Sequence, residues 1–257
     1  MTQDLLRPHL TQPLDEGWNP FLENDAEIGI DFGVFRLSPG GSSRFASGSQ
    51  EMALLVIEGK GTVSLGGTEV SFDRTSYFEQ SPWAVHLPQG EEVAIQADTQ
   101  TDLAVVRTLN PDKFSPHVYL PHEVEDEHRG QGLLDDTCHR IVRTIFDRRN
   151  APPEARLVLG EVVNFPGKWS SYPPHHHAQP ELYYYRFSPE WGYGHGELGE
   201  SVFRLQQHDL LRITGERDHA QSSPPGIFMY YVWTIRHLPD NPYTGFEFTA
   251  PFDSLLR

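Results

Sequence analysis

Residues 157–187 read LVLGEVVNF PGKWSSYPPHHHAQP ELYYYRF. Two apolar runs, 157–165 and 181–187, flank a stretch broken by prolines and crowded with histidine. Apolar runs this short, bounded by Gly or Pro, read as strands rather than helices. The same pattern recurs at 28–37, 52–58, 92–97, 103–109, 209–214 and 227–235. Gly-Gly at 40–41 and 66–67, Gly59-Lys60-Gly61 and Pro225-Gly226 mark turns between the runs. Helical periodicity is scarce, and the best helix candidate is the short stretch 152–156. With 22 Gly and 21 Pro punctuating 257 residues, the expectation is an all-β protein of sandwich or barrel type.

The chain also reads as weakly duplicated. Residues 34–97 and 159–235 run through the same order of strand, Pro-Gly turn, acidic residue, strand, Gly-rich turn and strand. This predicts two β-barrel halves, with a single larger sandwich as the alternative. The expected division is 1–115 for an N-terminal half, 116–150 for a charged connecting segment and 151–257 for a C-terminal half.

Lys plus Arg number 20 against 36 Asp plus Glu, a net charge of −16. Such a surface repels phosphate backbones, so a general nucleic-acid binder is not expected. No apolar run approaches the length of a membrane span, and MTQDLLRPHL does not read as a secretory signal. A cytoplasmic location is therefore expected. The one cysteine, Cys138, excludes an internal disulfide and any multi-cysteine metal site. A metal, if bound, must be held by nitrogen and carboxylate oxygen, and 13 histidines are available.

Two histidines at i and i+2 on extended chain share a face. His175 and His177 are thus expected together, with His176 turned away. Glu181 opens the following strand, and its carboxylate can return to the same cavity. His219, in the next Gly-led hairpin, completes a set of three imidazoles and one carboxylate. That set suits a divalent ion such as Zn, Mn, Fe, Co or Ni.

The spacing His-x-His-x3-Glu with a later His resembles the metal motif of the cupin superfamily. More narrowly, the string Trp169-Ser170-Ser171-Tyr172-Pro173-Pro174-His175, then Glu181-Leu182-Tyr183-Tyr184-Tyr185-Arg186 and Met229-Tyr230-Tyr231, resembles the 5-deoxy-glucuronate isomerase family of bacterial inositol catabolism. The resemblance is sharp over about 157–233 and diffuse in the N-terminal half. It implies a bicupin fold with His175, His177, Glu181 and His219 as metal ligands. It implies an aldose–ketose isomerase acting on a small sugar acid through a metal-stabilised enediolate. The sequence departs from the family pattern at His176, where the family usually has Lys, in the short Ala178-Gln179-Pro180 spacer, and at Ala220.

Strand alternation puts Tyr183 and Tyr185 on the face of Glu181, as acid/base groups or as aromatic core filling. Arg186 falls on the opposite face, as a structural ion pair. Lys168 is the candidate for the substrate carboxylate, and His195 reads as a hairpin tip. The N-terminal half has only Glu51 and His86 at comparable places. It reads as structural, covering the partner barrel or joining copies in a homo-oligomer. Two other functions share this ligand set, a cupin dioxygenase and a non-enzymatic sugar-binding cupin. The absence of any helix-turn-helix or basic domain counts against a DNA-binding regulator.

Overall fold

A computed structural model describes residues 3–9 and 13–256. Among them the regular structure is strand throughout, apart from 3-10 turns at Pro121–Glu123, Leu134–Asp136 and Phe252–Leu256. The all-β expectation holds. No helix among the described residues is long and apolar enough to cross a membrane. The 152–156 stretch is a turn rather than a helix, closed by the Ala155 N–H on the Pro152 carbonyl at 3.0 Å. Consecutive prolines followed by three further residues leave too few hydrogen bonds to nucleate one.

The chain divides into two compact units, and neither is a linear block. One contains residues 12–125 and 145–158, the other 1–11, 126–144 and 159–257. The expected linear boundaries at 115 and 150 are replaced by this interleaving. The physical reason is long-range pairing. The strand Leu5–Leu6 adds to the edge of Leu210–Ile213, and Asp4 and Arg217 form a two-pronged ion pair at 2.8 Å. These contacts bind the first residues to the unit built mostly from the C-terminal sequence.

In the unit holding residues 12–125, the 16-residue strand Gln50–Leu65 organises nine strands. Its first part pairs with Ala84–Leu87 and Thr101–Leu109, its second with Thr68–Arg74 and Glu92–Ala97. The register slips between Val56 and Glu58. Gly59 follows at φ +137°, and a Cβ there would lie 2.2 Å from Thr101 Oγ1. Only glycine fits this bend, which carries the strand from one layer to the next. The sequence signal at Gly59-Lys60-Gly61 is thus a bend inside a strand, not a turn between two. Met52, Leu54, Val56, Val63, Val93, Ile95, Leu103 and Val105 fill the space between the layers. The strands form layered open sheets rather than closed barrels.

The other unit sets a seven-stranded sheet beside a five-stranded one. The first runs Leu5–Leu6, Leu210–Ile213, Glu181–Ser188, Phe228–Arg236, Leu157–Asn164, Arg140–Phe146, Glu127–Arg129. The second runs Ser201–Gln206, Tyr193–Leu198, His219–Ser222, Trp169–His176, Glu247–Phe248. Val142, Val162, Tyr183, Tyr185, Leu205, Met229 and Tyr231 belong to the core of this unit. His175 and His219 come from the five-stranded sheet, and Glu181 from the seven-stranded one.

Glu51 and His86 have a structural arrangement. The fully buried Glu51 carboxylate accepts from Asn110 Nδ2 at 2.7 Å, Arg156 N–H at 2.7 Å and Leu157 N–H at 3.0 Å, and meets His86 Nε2 at 2.7 Å. Burial opposes its charge, but these partners prevail and lower its pKa. Glu51→Gln turns an amide N–H2 toward groups that donate. We expect it to destabilise the fold by about 2–4 kcal/mol while leaving metal content unchanged. Urea denaturation and metal analysis check this; an unaltered midpoint contradicts it.

Candidate metal centre

The strand Trp169–His176 delivers the histidines. Its ladder to His219–Ser222 breaks between Ser170 and His175, where Pro173 and Pro174 have no N–H to offer. Ser171 sits at φ +56° within the break, and its carbonyl receives a hydrogen bond from His175 Nδ1 at 3.2 Å. His175 pairs directly across from His219. His176 points the other way, to Asp218 at 2.9 Å, as alternation requires.

His177, Glu181 and His219 each place a ligand atom within 4.8 Å of the others. Glu181 Oε2 lies 3.1 Å from His177 Nε2 and 3.4 Å from His219 Nε2. The His175 ring lies tilted beside this group, its centroid 4.2 Å from that of His219 and 6.5 Å from that of His177. The structure thus brings the four expected residues together, with His175 set slightly outside the tight group of three.

The donor chemistry fits a cation. A carbonyl only accepts, so the Nδ1–H of His175 donates to Ser171, and that of His219 to Arg217 at 3.0 Å. In their neutral forms both then carry the Nε2 lone pair. His219 Nε2 is buried, with no hydrogen-bond partner, and faces the Glu181 oxygen at 3.4 Å. In the neutral form that lone pair meets a carboxylate oxygen, so either a proton or a metal cation must lie between the two atoms. Burial alone would raise the Glu181 pKa; His177 and His219 outweigh it and hold it at about 2. Burial, then the neighbouring His219, depresses the His175 pKa well below the ordinary imidazole value.

A polar, aromatic wall extends from the cluster. The Tyr183 ring lies 5.7 Å from His219 and 4.8 Å from Tyr231. Tyr231 hydroxyl meets Ser170 Oγ at 2.6 Å and Ser171 Oγ at 3.2 Å. Tyr185 shares the strand face of Tyr183, and its buried hydroxyl has no partner. Burial, with added charge from Glu181, pushes the Tyr183 and Tyr185 pKa values well above the ordinary phenol value. Both are neutral hydrogen-bond donors near pH 7. Tyr243 and Phe246 cover the histidines from the C-terminal segment, at 5.0 Å from His177 and 4.4 Å from His175.

Sequence reasoning missed Gln221. It lies two residues beyond His219 on the same strand face, opposite Ser170. It is fully buried, yet neither its Oε1 nor its Nε2 has a partner. The i+2 relation to His219 was the available signal.

Lys168 is not brought to the cluster. It precedes the far end of the strand from His175, where its ammonium is held by Asp136 and lies 5.9 Å from the Phe165 ring centre. Arg186 turns away, as expected, donating to the Tyr184 hydroxyl at 3.3 Å. His195 is exposed within the strand Tyr193–Leu198, opposite Arg204, rather than at a hairpin tip.

Known proteins resemble this chain in sequence and fold. The sequence model of the KduI/IolB family matches residues 22–253. A 5-deoxy-glucuronate isomerase of Geobacillus kaustophilus (strain HTA426) is 27% identical, over 83% of this chain and 85% of the relative. Among solved structures, an IolB-like protein from Salmonella typhimurium LT2 superposes with TM-score 0.84 at 22% identity, over 94% of this chain and 96% of that one. A cupin 2 conserved barrel domain protein from Leptotrichia buccalis superposes with TM-score 0.53 at 12% identity, over 90% of this chain and 96% of that one.

An unsatisfied buried amide is costly to the fold. Gln221→Leu, close in size and apolar, is therefore expected to melt no lower than the unaltered protein without added sugar. Differential scanning calorimetry reads this directly; a fall of several degrees would show that the amide stabilises the fold.

Proposed function

The chain belongs to the KduI/IolB family, and on that footing we propose that it isomerises 5-deoxy-glucuronate to 5-dehydro-2-deoxy-gluconate. The observation that carries this reading is the buried His177–Glu181–His219 group beside a wall of neutral tyrosines, in a chain matched over most of its length by a named isomerase.

His175, His177, Glu181 and His219 would hold a divalent ion through imidazole nitrogens and a carboxylate oxygen, of the class that accepts Zn, Mn, Fe, Co or Ni. When bound, that ion supplies positive charge favouring the negative charge that develops as the carbon–hydrogen bond breaks. The reaction moves a carbonyl from the terminal carbon to its neighbour. One hydrogen passes from the neighbouring carbon to the terminal one, and one from the neighbour's oxygen to the terminal oxygen. Nothing is oxidised overall, so neither O2 nor nicotinamide is required.

Tyr183 and Tyr185 fit the acid half of this exchange. Each is buried and neutral, and Tyr185 has its hydroxyl uncommitted. Such a phenol donates to a sugar oxygen as negative charge appears there. Gln221 offers an amide N–H2 and a carbonyl to neighbouring hydroxyls. Tyr243 and Phe246 limit the access of water to the histidines.

Three outcomes test the reading. Purified protein should carry close to one divalent ion per chain, and His177→Ala should lose most of it by elemental analysis. Substrate deuterated next to the aldehyde, followed by NMR under anaerobic conditions, should transfer or exchange its label only with metal-loaded protein. Tyr183→Phe and Tyr185→Phe should retain the ion; the one that donates the proton should lose about 100-fold or more in turnover. A protein that holds its metal, converts no uronate anaerobically and consumes O2 with a substrate would instead be a dioxygenase.

A further inference from the structure

Arg140 opens the strand Arg140–Phe146 and is only 8% exposed. Its one hydrogen bond runs from Nη1 to the Cys138 carbonyl at 2.9 Å. No carboxylate among the described residues pairs with it. The acids on its flanking strands are engaged elsewhere. Glu127 is held by Arg129, which faces Arg140 across the ladder. Asp126 and Glu161 are held by Arg143 at 2.6 and 2.9 Å, and Glu161 also by the Tyr230 hydroxyl at 2.7 Å. A buried guanidinium with one neutral acceptor is an expensive arrangement unless an anion completes it.

The direction of Arg140 follows from alternation. Val142, two residues on, lies in the core shared by Tyr183, Tyr185 and Tyr231, so Arg140 presents the same face. Its charge acts on the Tyr231 and Tyr183 hydroxyls. Tyr183 also touches His219. The tyrosine wall therefore runs from the histidine–carboxylate cluster toward an unpaired buried cation. A six-carbon uronic acid carries its carbonyl and its carboxylate at opposite ends.

We propose that Arg140 is the residue that binds the carboxylate of the sugar acid, in place of Lys168. This deepens the isomerase reading and rests on it for the substrate's identity, while the predicted contact concerns only a sugar carboxylate. A fork of guanidinium N–H groups matches a carboxylate in two parallel bonds, which a lysine ammonium does not reproduce. The position also gives a reason for an arginine where the protein supplies no acid to balance it.

Calorimetric titration of the metal-loaded protein with D-glucuronate and with D-glucose isolates the carboxylate, because glucose carries a hydroxymethyl group in its place. The unaltered protein should prefer glucuronate by about 10- to 100-fold, the worth of a charge-assisted bond. Arg140→Gln should erase that preference without changing glucose affinity or metal content, and Arg140→Lys should restore only part of it. Without ligand, Arg140→Gln should melt no more than a few degrees lower. A preference that survives Arg140→Gln, or no preference in the unaltered protein, overturns the proposal. Collapse of both variants would do so too, by marking Arg140 as structural. Failure of the isomerase reading is separately visible, as lack of turnover with the glucuronate preference and its loss in Arg140→Gln intact.

Discussion

The C-terminal site depends on one buried charge. Glu181 is ionised inside the protein, its Oε2 lying 3.1 and 3.4 Å from the Nε2 atoms of two imidazoles. A carboxylate in that position is tolerable only if positive charge or hydrogen-bond donors converge on it. The surrounding structure follows from that need. The proline-broken strand Trp169–His176 swings His175 inward, the ladder partner His219 arrives from the neighbouring strand, and backbone carbonyls fix both ring orientations. Even the tyrosines answer to it, since the charge of Glu181 helps keep Tyr183 and Tyr185 protonated.

Buried acids are treated in two ways, and the difference separates scaffold from site. Glu51 and Glu161 are saturated by donors on several elements. Around the Glu181 cluster, polar atoms stay unmatched: His219 Nε2, Tyr185 hydroxyl and both ends of the Gln221 amide. Folded interiors seldom leave such groups unpaired. His219 and Gln221 share one strand and Tyr185 belongs to the other sheet of the same unit, and their gathering beside Glu181 is the mark of a surface shaped for something other than stability.

Much of this was legible in the sequence because it is local. The run at Glu92–Ala97 appears as a strand with both ends as expected, and 181–187 differs from Glu181–Ser188 by one residue. The i, i+2 rule separated His175 and His177 from His176. What failed was nonlocal. Gly59 looks like a turn until the pairing of Gln50–Leu65 with strands in both layers shows a bend. The return of Leu5–Leu6 to the other unit has no local signature at all. Gln221 and Arg140 were missed for a similar reason. Each is a single polar residue in an apolar strand, and its meaning lies in lacking a partner, which only packing reveals. Lys168 drew attention by proximity in sequence, but Asp136 already holds it.

The most direct test of the account is X-ray absorption at the edge of the metal carried by the purified protein. The structure predicts a first shell of nitrogen and oxygen, with imidazole multiple scattering from at least two histidines, at about 2.0–2.2 Å if the ion is zinc. The pattern should weaken on His219→Ala. A protein without stoichiometric metal, or a shell of oxygen alone with no imidazole signature, would contradict the assignment of His177, Glu181 and His219 as its centre.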